Sequence, residues 1–113
     1  MANTFKVKSN AAMPASAGTP LDLYTVPGST TSVVLGLVLA NVHTSQVNAS
    51  VKLVSSTGTN QTTFLVKNAP IPVGSSLELL GGNKVVVEAT DKIQIDCSVS
   101  GMIDATLSIM EIT

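Results

Sequence analysis

Arginine and tryptophan are absent from the 113 residues, and cysteine and histidine occur once each. Each gap excludes a class of chemistry. Without arginine there is no guanidinium fork for bidentate contacts to phosphate or to base edges. The six lysines, Lys6, Lys8, Lys52, Lys67, Lys84 and Lys92, are scattered, and only the first two lie close together. A nucleic-acid partner needs clustered positive charge, and so does a polybasic membrane patch, so neither is expected. One cysteine cannot build a disulfide framework, and one cysteine with one histidine cannot build a zinc site. No run of about 18 apolar residues is present to span a bilayer as a helix. Charged residues make up only 12% of the chain and aromatic residues 3%, namely Phe5, Tyr24 and Phe64.

Valine numbers fifteen, and serine and threonine thirteen each, within a chain that is 44% hydrophobic and carries a net charge of −1. The core is therefore aliphatic, and the surface is covered by hydroxyls rather than charges. That balance excludes disorder. A surface so poor in charge depends on partners to cover its apolar area, which points to an assembled protein. The length fits one domain. Met1 to Lys6 is not followed by the apolar stretch of a secretory signal, so Asn48-Ala49-Ser50 and Asn60-Gln61-Thr62 read as chance matches to the glycosylation pattern.

Strand signals recur about every 10 to 15 residues, separated by Gly, Pro, Asn and Ser clusters, and no helical period is sustained. Phe5 to Lys8 alternates as a first, edge-like strand. Residues 9 to 20, with Pro14 and Pro20, read as a loop or extended arm. Leu21 to Val26 is a strand ending at Pro27-Gly28. Thr31 to Val42 is apolar on both alternating sets, with Gly36 marking a bulge or close backbone approach. Asn48 to Val54 and Thr62 to Lys67 form a hairpin, with Phe64 and Val66 expected on one face. Residues 69 to 74 read as a Pro-stiffened crossing. Ser75 to Leu80, the turn Gly81-Gly82-Asn83, Lys84 to Glu88, Ile93 to Val99 and Ile103 to Ile112 complete the pattern. In the last strand Ile103, Ala105, Leu107 and Ile109 share one face, and Met110 and Ile112 lie on the other. The expected fold is all-β, an antiparallel β-sandwich, jelly-roll-like or Ig-like, of about eight or nine strands. Residues 1–20 form an N-terminal strand and flexible arm, and residues 21–113 the sandwich domain.

Chemistry-bearing clusters are scarce. Cys97 alternates with apolar residues and reads as a small buried hydrophobe, far in sequence from His43. Asp91, Asp96 and Asp104 lie on or beside successive strands; a calcium site and solvated turn carboxylates are both conceivable, and the second is favoured because no dense oxygen-ligand loop appears. Glu78, Glu88 and Glu111 are isolated, Tyr24 reads as packed at a strand end, and no glycine loop opens a helix. No cofactor and no enzymatic activity are expected.

Several stretches carry a resemblance. They are Met1-Ala2-Asn3-Thr4-Phe5-Lys6; Leu23-Tyr24-Thr25-Val26-Pro27; Val34-Leu35-Gly36-Leu37 with Leu39-Ala40-Asn41-Val42; and Val51-Lys52-Leu53. The most telling are Ala69-Pro70-Ile71-Pro72-Val73-Gly74-Ser75-Ser76-Leu77-Glu78, then Val86 to Ile93 and the closing Leu107 to Ile112. Over nearly its whole length the chain resembles small virion structural proteins of tailed bacteriophages. It departs from their pattern at Thr90, where a glycine is usual, so Thr90 must accept that turn geometry. The resemblance implies a β-sandwich on a virion; the short chain without chemistry, the strands apolar on both faces and the extendable segment 2–20 favour a capsid decoration or cement protein acting as a homo-oligomer, with a trimer favoured. Its partners would be copies of itself and the major capsid protein or other virion proteins. A tail, neck or fibre component is the alternative, and a carbohydrate-binding module the third reading, which the shortage of aromatics disfavours. The candidate interface residues are Phe5, Val7, Met13, Pro14, Val34, Val38, Met110 and Ile112. The segment 2–20 is expected to extend over a neighbour by adding a strand to it, or to pair within its own sheet.

Overall fold

A computed structural model describes residues 3–14, 16–55, 57–79 and 84–113. The expected turn Gly81-Gly82-Asn83 and the end of the preceding strand at Leu80 lie outside the described residues. The strands are β1 (Asn3–Met13), β2 (Leu21–Thr25), β3 (Thr31–Asn41), β4 (Val47–Val54), β5 (Thr63–Ile71), β6 (Ser76–Leu79), β7 (Val85–Val87), β8 (Lys92–Cys97) and β9 (Ile103–Ile112).

They form two antiparallel sheets. One runs β1-β9-β3-β6, with β7 also paired to β3, and the other runs β2-β8-β4-β5. The pairs β1–β9, β2–β8, β3–β6/β7 and β4–β5 are the rungs of one long ribbon folded back at the β4–β5 turn. Its rungs fall alternately in one sheet and the other. This is the wrapping of a jelly roll rather than the order of an immunoglobulin sandwich. The core between the sheets is aliphatic: Val34, Leu37, Leu39, Ile93, Ile95, Ile103, Leu107 and Ile109 are all buried. β9 places Ile103, Ala105, Leu107 and Ile109 inward, as its alternation requires.

Register shifts in β1, β2, β3 and β5 reset the alternation of those strands, and the ones in β3 and β5 decide which large side chains face outward. In β3, Val34 pairs with Ile109 and Gly36 pairs with the very next residue, Ser108. Leu35 is the extra residue, and the inward set changes from Ser32 and Val34 to Leu37, Leu39 and Asn41. The strand's two apolar sets are thus largely one inward face broken by a bulge. In β5, Phe64 and Val66 pair with the adjacent residues Lys52 and Val51. Phe64 therefore points outward and Val66 toward the core, which corrects the expectation that they share a face.

The N-terminal segment pairs within its own sheet, one of its two expected courses, but its strand is longer than the expected Phe5 to Lys8. β1 runs to Met13, pairing with β9 from Asn3↔Ile112 to Met13↔Ile103 with an irregularity after Asn10. The turn beyond it is tied down rather than free. Ala12 N–H donates to Asp104 Oδ1 at 2.8 Å, Ala17 N–H to Ser100 Oγ at 2.9 Å, and Gly18 N–H to Asp96 Oδ1 at 3.0 Å. Gly101 N–H donates to the Pro14 carbonyl at 2.7 Å. Residues 9–13 lack apolar alternation because pairing to β9, not burial, makes them a strand. β5 likewise continues through Ala69, Pro70 and Ile71, which had read as a crossing. β5 is an edge strand, where a proline's missing N–H need not break a ladder.

Candidate functional site

Directly opposed residues of antiparallel strands share a face, so the register maps each outer surface. On the five-stranded sheet, Phe5 pairs with Met110, Met110 with Val33, and Val33 with Val86. This apolar row crosses four strands on the side away from the core. Phe5 is 72% exposed and Val86 58%. The adjoining rows add Ile112 on one side and Val7 on the other, and Val38 lies on the same face one row further, beyond Ser108 and Gly36.

Five of the eight residues expected at an interface therefore come together here: Phe5, Val7, Val38, Met110 and Ile112. Met13, Pro14 and Val34 are buried within this chain and present no surface to a partner. Val34 changes side because of the bulge at Leu35, and Met13 turns inward beyond the irregularity in β1. Val33 and Val86 complete the row and were not anticipated. An even-spaced reading through Gly36 obscures Val33; the run Val85-Val86-Val87, with only its last residue buried, signals Val86.

Beneath this row a polar network crosses the core edge. Glu111 occupies the inward slot that follows Ile109 in the alternation of β9. Its Oε1 meets Lys6 Nζ at 2.8 Å, and its Oε2 accepts the Tyr24 hydroxyl proton at 2.5 Å. The Tyr24 oxygen lies 2.7 Å from Ser32 Oγ, which completes the set. The Lys6 ammonium, then the Tyr24 hydroxyl, hold the Glu111 carboxyl below its ordinary value. Burial, reinforced by the carboxylate, pushes the Tyr24 hydroxyl up to about 12. The network fastens β1 to β9 and joins β2 of one sheet to β3 and β9 of the other. A carboxylate in an inward alternation slot was the sequence signal for it, since such a group must be paired.

The outer face of the other sheet is different. Across it run Phe64, Lys52, Gln94 and Asp22, then Ser50 and Asp96 in the next row. Phe64 is 48% exposed, with the ammonium groups of Lys67 and Lys52 at 5.0 and 5.6 Å from its ring centre. Phe64, Lys52, Lys67, Ser50, Gln94 and Asp96 help to line a shallow open cavity of about 300 Å³. Gln94 Nε2 donates to Asp22 Oδ1 at 2.6 Å, and this bond, more than the nearby Lys92, lowers the Asp22 carboxyl.

The acidic residues considered as cation ligands serve as turn acceptors. Asp91 accepts from Thr57 Oγ1 and from Glu88 N–H, Asp96 Oδ1 from Gly18 and Cys97 N–H, and Asp104 from Ala12 N–H. Among the described residues no three His, Cys, Asp or Glu side chains gather as a metal site. Cys97 is a free, buried thiol. Tyr24 is the buried aromatic, and both phenylalanines are exposed, the reverse of a phenylalanine core. No helix among the described residues is long and apolar enough to cross a membrane.

No family model and no curated protein matches this chain. Among solved structures it is similar to a chain in the structure of infectious bursal disease virus, Gt strain. The identity is 16% and the TM-score 0.46, with 96% of this chain and 31% of that chain covered. The present chain thus spans about a third of the length of that neighbour.

Proposed function

We propose that this chain is a non-enzymatic structural protein of a bacteriophage virion, a capsid decoration or cement protein that stabilises the shell as a homo-oligomer, most simply a trimer. It would be made in the host cytoplasm and end on the capsid surface. The observation that carries this reading is the apolar row from Phe5 to Val86 on an outer sheet face of a chain with only 12% charged residues. Two further features support it: the strand-and-turn resemblance to virion proteins, and a wrapped fold that leaves whole sheet faces as binding surfaces. Burial of that face contributes about 25 cal/mol per Å² of apolar area, less the cost of association. Repetition over a shell lattice raises the effective affinity of a small domain.

Light scattering of the purified protein tests the reading, together with binding to particles of the phage that encodes it. The expected mass is a trimer of 11.6 kDa chains. The double substitution Phe5→Lys, Val86→Lys is expected to weaken self-association and particle binding by about 100-fold while leaving a folded monomer. A wild-type monomer that does not bind particles would overturn the reading. A hexameric ring bound to tails would replace it with the tail assignment.

A further inference from the structure

We propose that the outer face of the four-stranded sheet is a binding site for an acidic saccharide. The inference stands whether or not the virion reading holds, because it rests on the opposite face of the molecule.

Phe64 is the starting point. The bulge between Phe64 and Val66 turns it out of the core, where the Lys52 and Lys67 ammonium groups lie over part of a ring that stays half exposed. It is also the one aromatic side chain on this face, since Tyr24 is buried and Phe5 lies on the other sheet. Around it the cavity of about 300 Å³ brings together Lys52, Lys67, Ser50, Asn68 and Gln94. That volume lies at the lower end of the range for small-ligand sites, enough for one or two sugar rings.

The charges favour an anion. The two ion pairs seen among the described residues are Lys6–Glu111 and Lys92–Asp22, and neither uses Lys52 or Lys67. The one carboxylate in the cavity wall, Asp96, already accepts two backbone N–H groups through Oδ1. A chain of net charge −1 thus concentrates two ammonium groups at a single ring.

The remaining groups favour a sugar over other anions. A bare phosphate would leave the ring unused, and no arginine fork is present to grip it. A nucleotide base carries its polar atoms on limited edges and would leave part of this rim unpaired. A pyranose bears hydroxyls around its whole rim. Ser50 Oγ accepts the Asn68 backbone N–H and donates to Asn68 Oδ1, which leaves the Asn68 side-chain N–H groups on one side and the Gln94 side-chain carbonyl on the other to meet those hydroxyls. A ring carboxylate meets the lysines, and the C–H face of the sugar covers the part of the Phe64 ring that the lysines leave exposed.

The test is a titration of the ¹⁵N-labelled protein with trigalacturonate, followed by the backbone amide spectrum, with neutral galactotriose, AMP and a glutamate-rich peptide as parallel titrants. The expected result is saturable shifts at Phe64, Lys67 and Gln94 with trigalacturonate, and binding at least about tenfold weaker for the neutral sugar. Phe64→Ala and Lys67→Gln should each weaken binding by about tenfold, with the amide spectrum showing that both variants remain folded. Absence of saturable shifts with trigalacturonate would overturn the proposal. So would equal binding of the neutral sugar, or tighter binding of AMP or the peptide at this face.

Discussion

The two outer faces of this sandwich are built by the same rule and reach opposite characters. Each sheet sends alternate side chains into a shared aliphatic core. What remains outside is an apolar row on one sheet and a polar, lysine-flanked dish on the other. In both, an extra residue beside a large side chain decides that it faces out. Leu35 resets β3, so that Val33 faces outward before the bulge and Val38 after it; the extra residue in β5 turns Phe64 away from Val66. A jelly roll fixes its interior by hydrophobic period but writes its surfaces through irregularities.

The largest expected effect comes from disturbing that reset. Deleting Val38 would turn Leu39 and Asn41 outward and Ala40 inward, and the apolar face would lose its continuity along with the core. Cooperative thermal unfolding, followed by circular dichroism, is expected to disappear. Deleting Leu35 instead removes the bulge and leaves Val34 and Leu37 both inward. That variant should keep a cooperative transition and lose about 1–2 kcal/mol, the share of a half-buried leucine. If both deletions behave alike, the bulge does not govern which residues face outward.

A smaller effect separates the faces by how they are held. The apolar face depends on β1, whose inward-side residues Thr4, Lys6 and Asn10 stay exposed because the opposing sheet does not cover them. Lys6, Glu111, Tyr24 and Ser32 fasten it. Glu111→Gln should cost about 1.5–3 kcal/mol, the range for a hydrogen bond to a charged group. The pH dependence follows from the two shifts. Glu111 is held below its ordinary value of 4.5, so its contribution is complete above that value and is lost as pH falls through the lower folded value. Tyr24 is raised from 10.0 to about 12, so its contribution is complete below pH 10 and is lost as pH rises between those values. Hydrogen exchange should show β1 amides opening first in acid while β4 and β8 stay protected. Uniform loss across both sheets would mean that the network does not specifically hold the apolar face.

How much of this was legible in the sequence follows the same division. Strands with a clean period of two, such as Ile103 to Ile112, appeared with their faces assigned, and Gly36 marked the β3 irregularity. Jelly-roll wrapping was one of two readings, because pairing between distant strands leaves no local mark. β1 beyond Lys8 and β5 beyond Lys67 were hidden because edge strands answer to backbone pairing, not to burial. The outward turn of Phe64 had no signal, since the extra residue in β5 is visible only against β4. Glu111 did have one, as a carboxylate in an inward alternation slot.

The smallest effect concerns a residue that links the sheets and belongs to neither face. Thr90 lies between β7 and β8 in a turn closed by Asp91 N–H on the Glu88 carbonyl, at 3.0 Å. Its φ is +72°, while Ala89 is not among the residues of positive φ, so Thr90 occupies the third position of a type II-like turn. A β-branched residue there is strained, and glycine relieves the clash of Cβ with the following carbonyl. Glycine also loses more backbone entropy on folding, which offsets part of that relief. The backbone bond from Thr90 N–H to the Val26 carbonyl, at 3.0 Å, survives the substitution. Thr90→Gly should therefore stabilise the fold by about 0.5 kcal/mol, a rise of roughly 2–4 °C in Tm. Self-association and saccharide binding should both be unchanged. A fall in Tm would mean that the threonine side chain packs in the turn strongly enough to outweigh its backbone strain, and a change in either binding property would mean that this link couples the two faces.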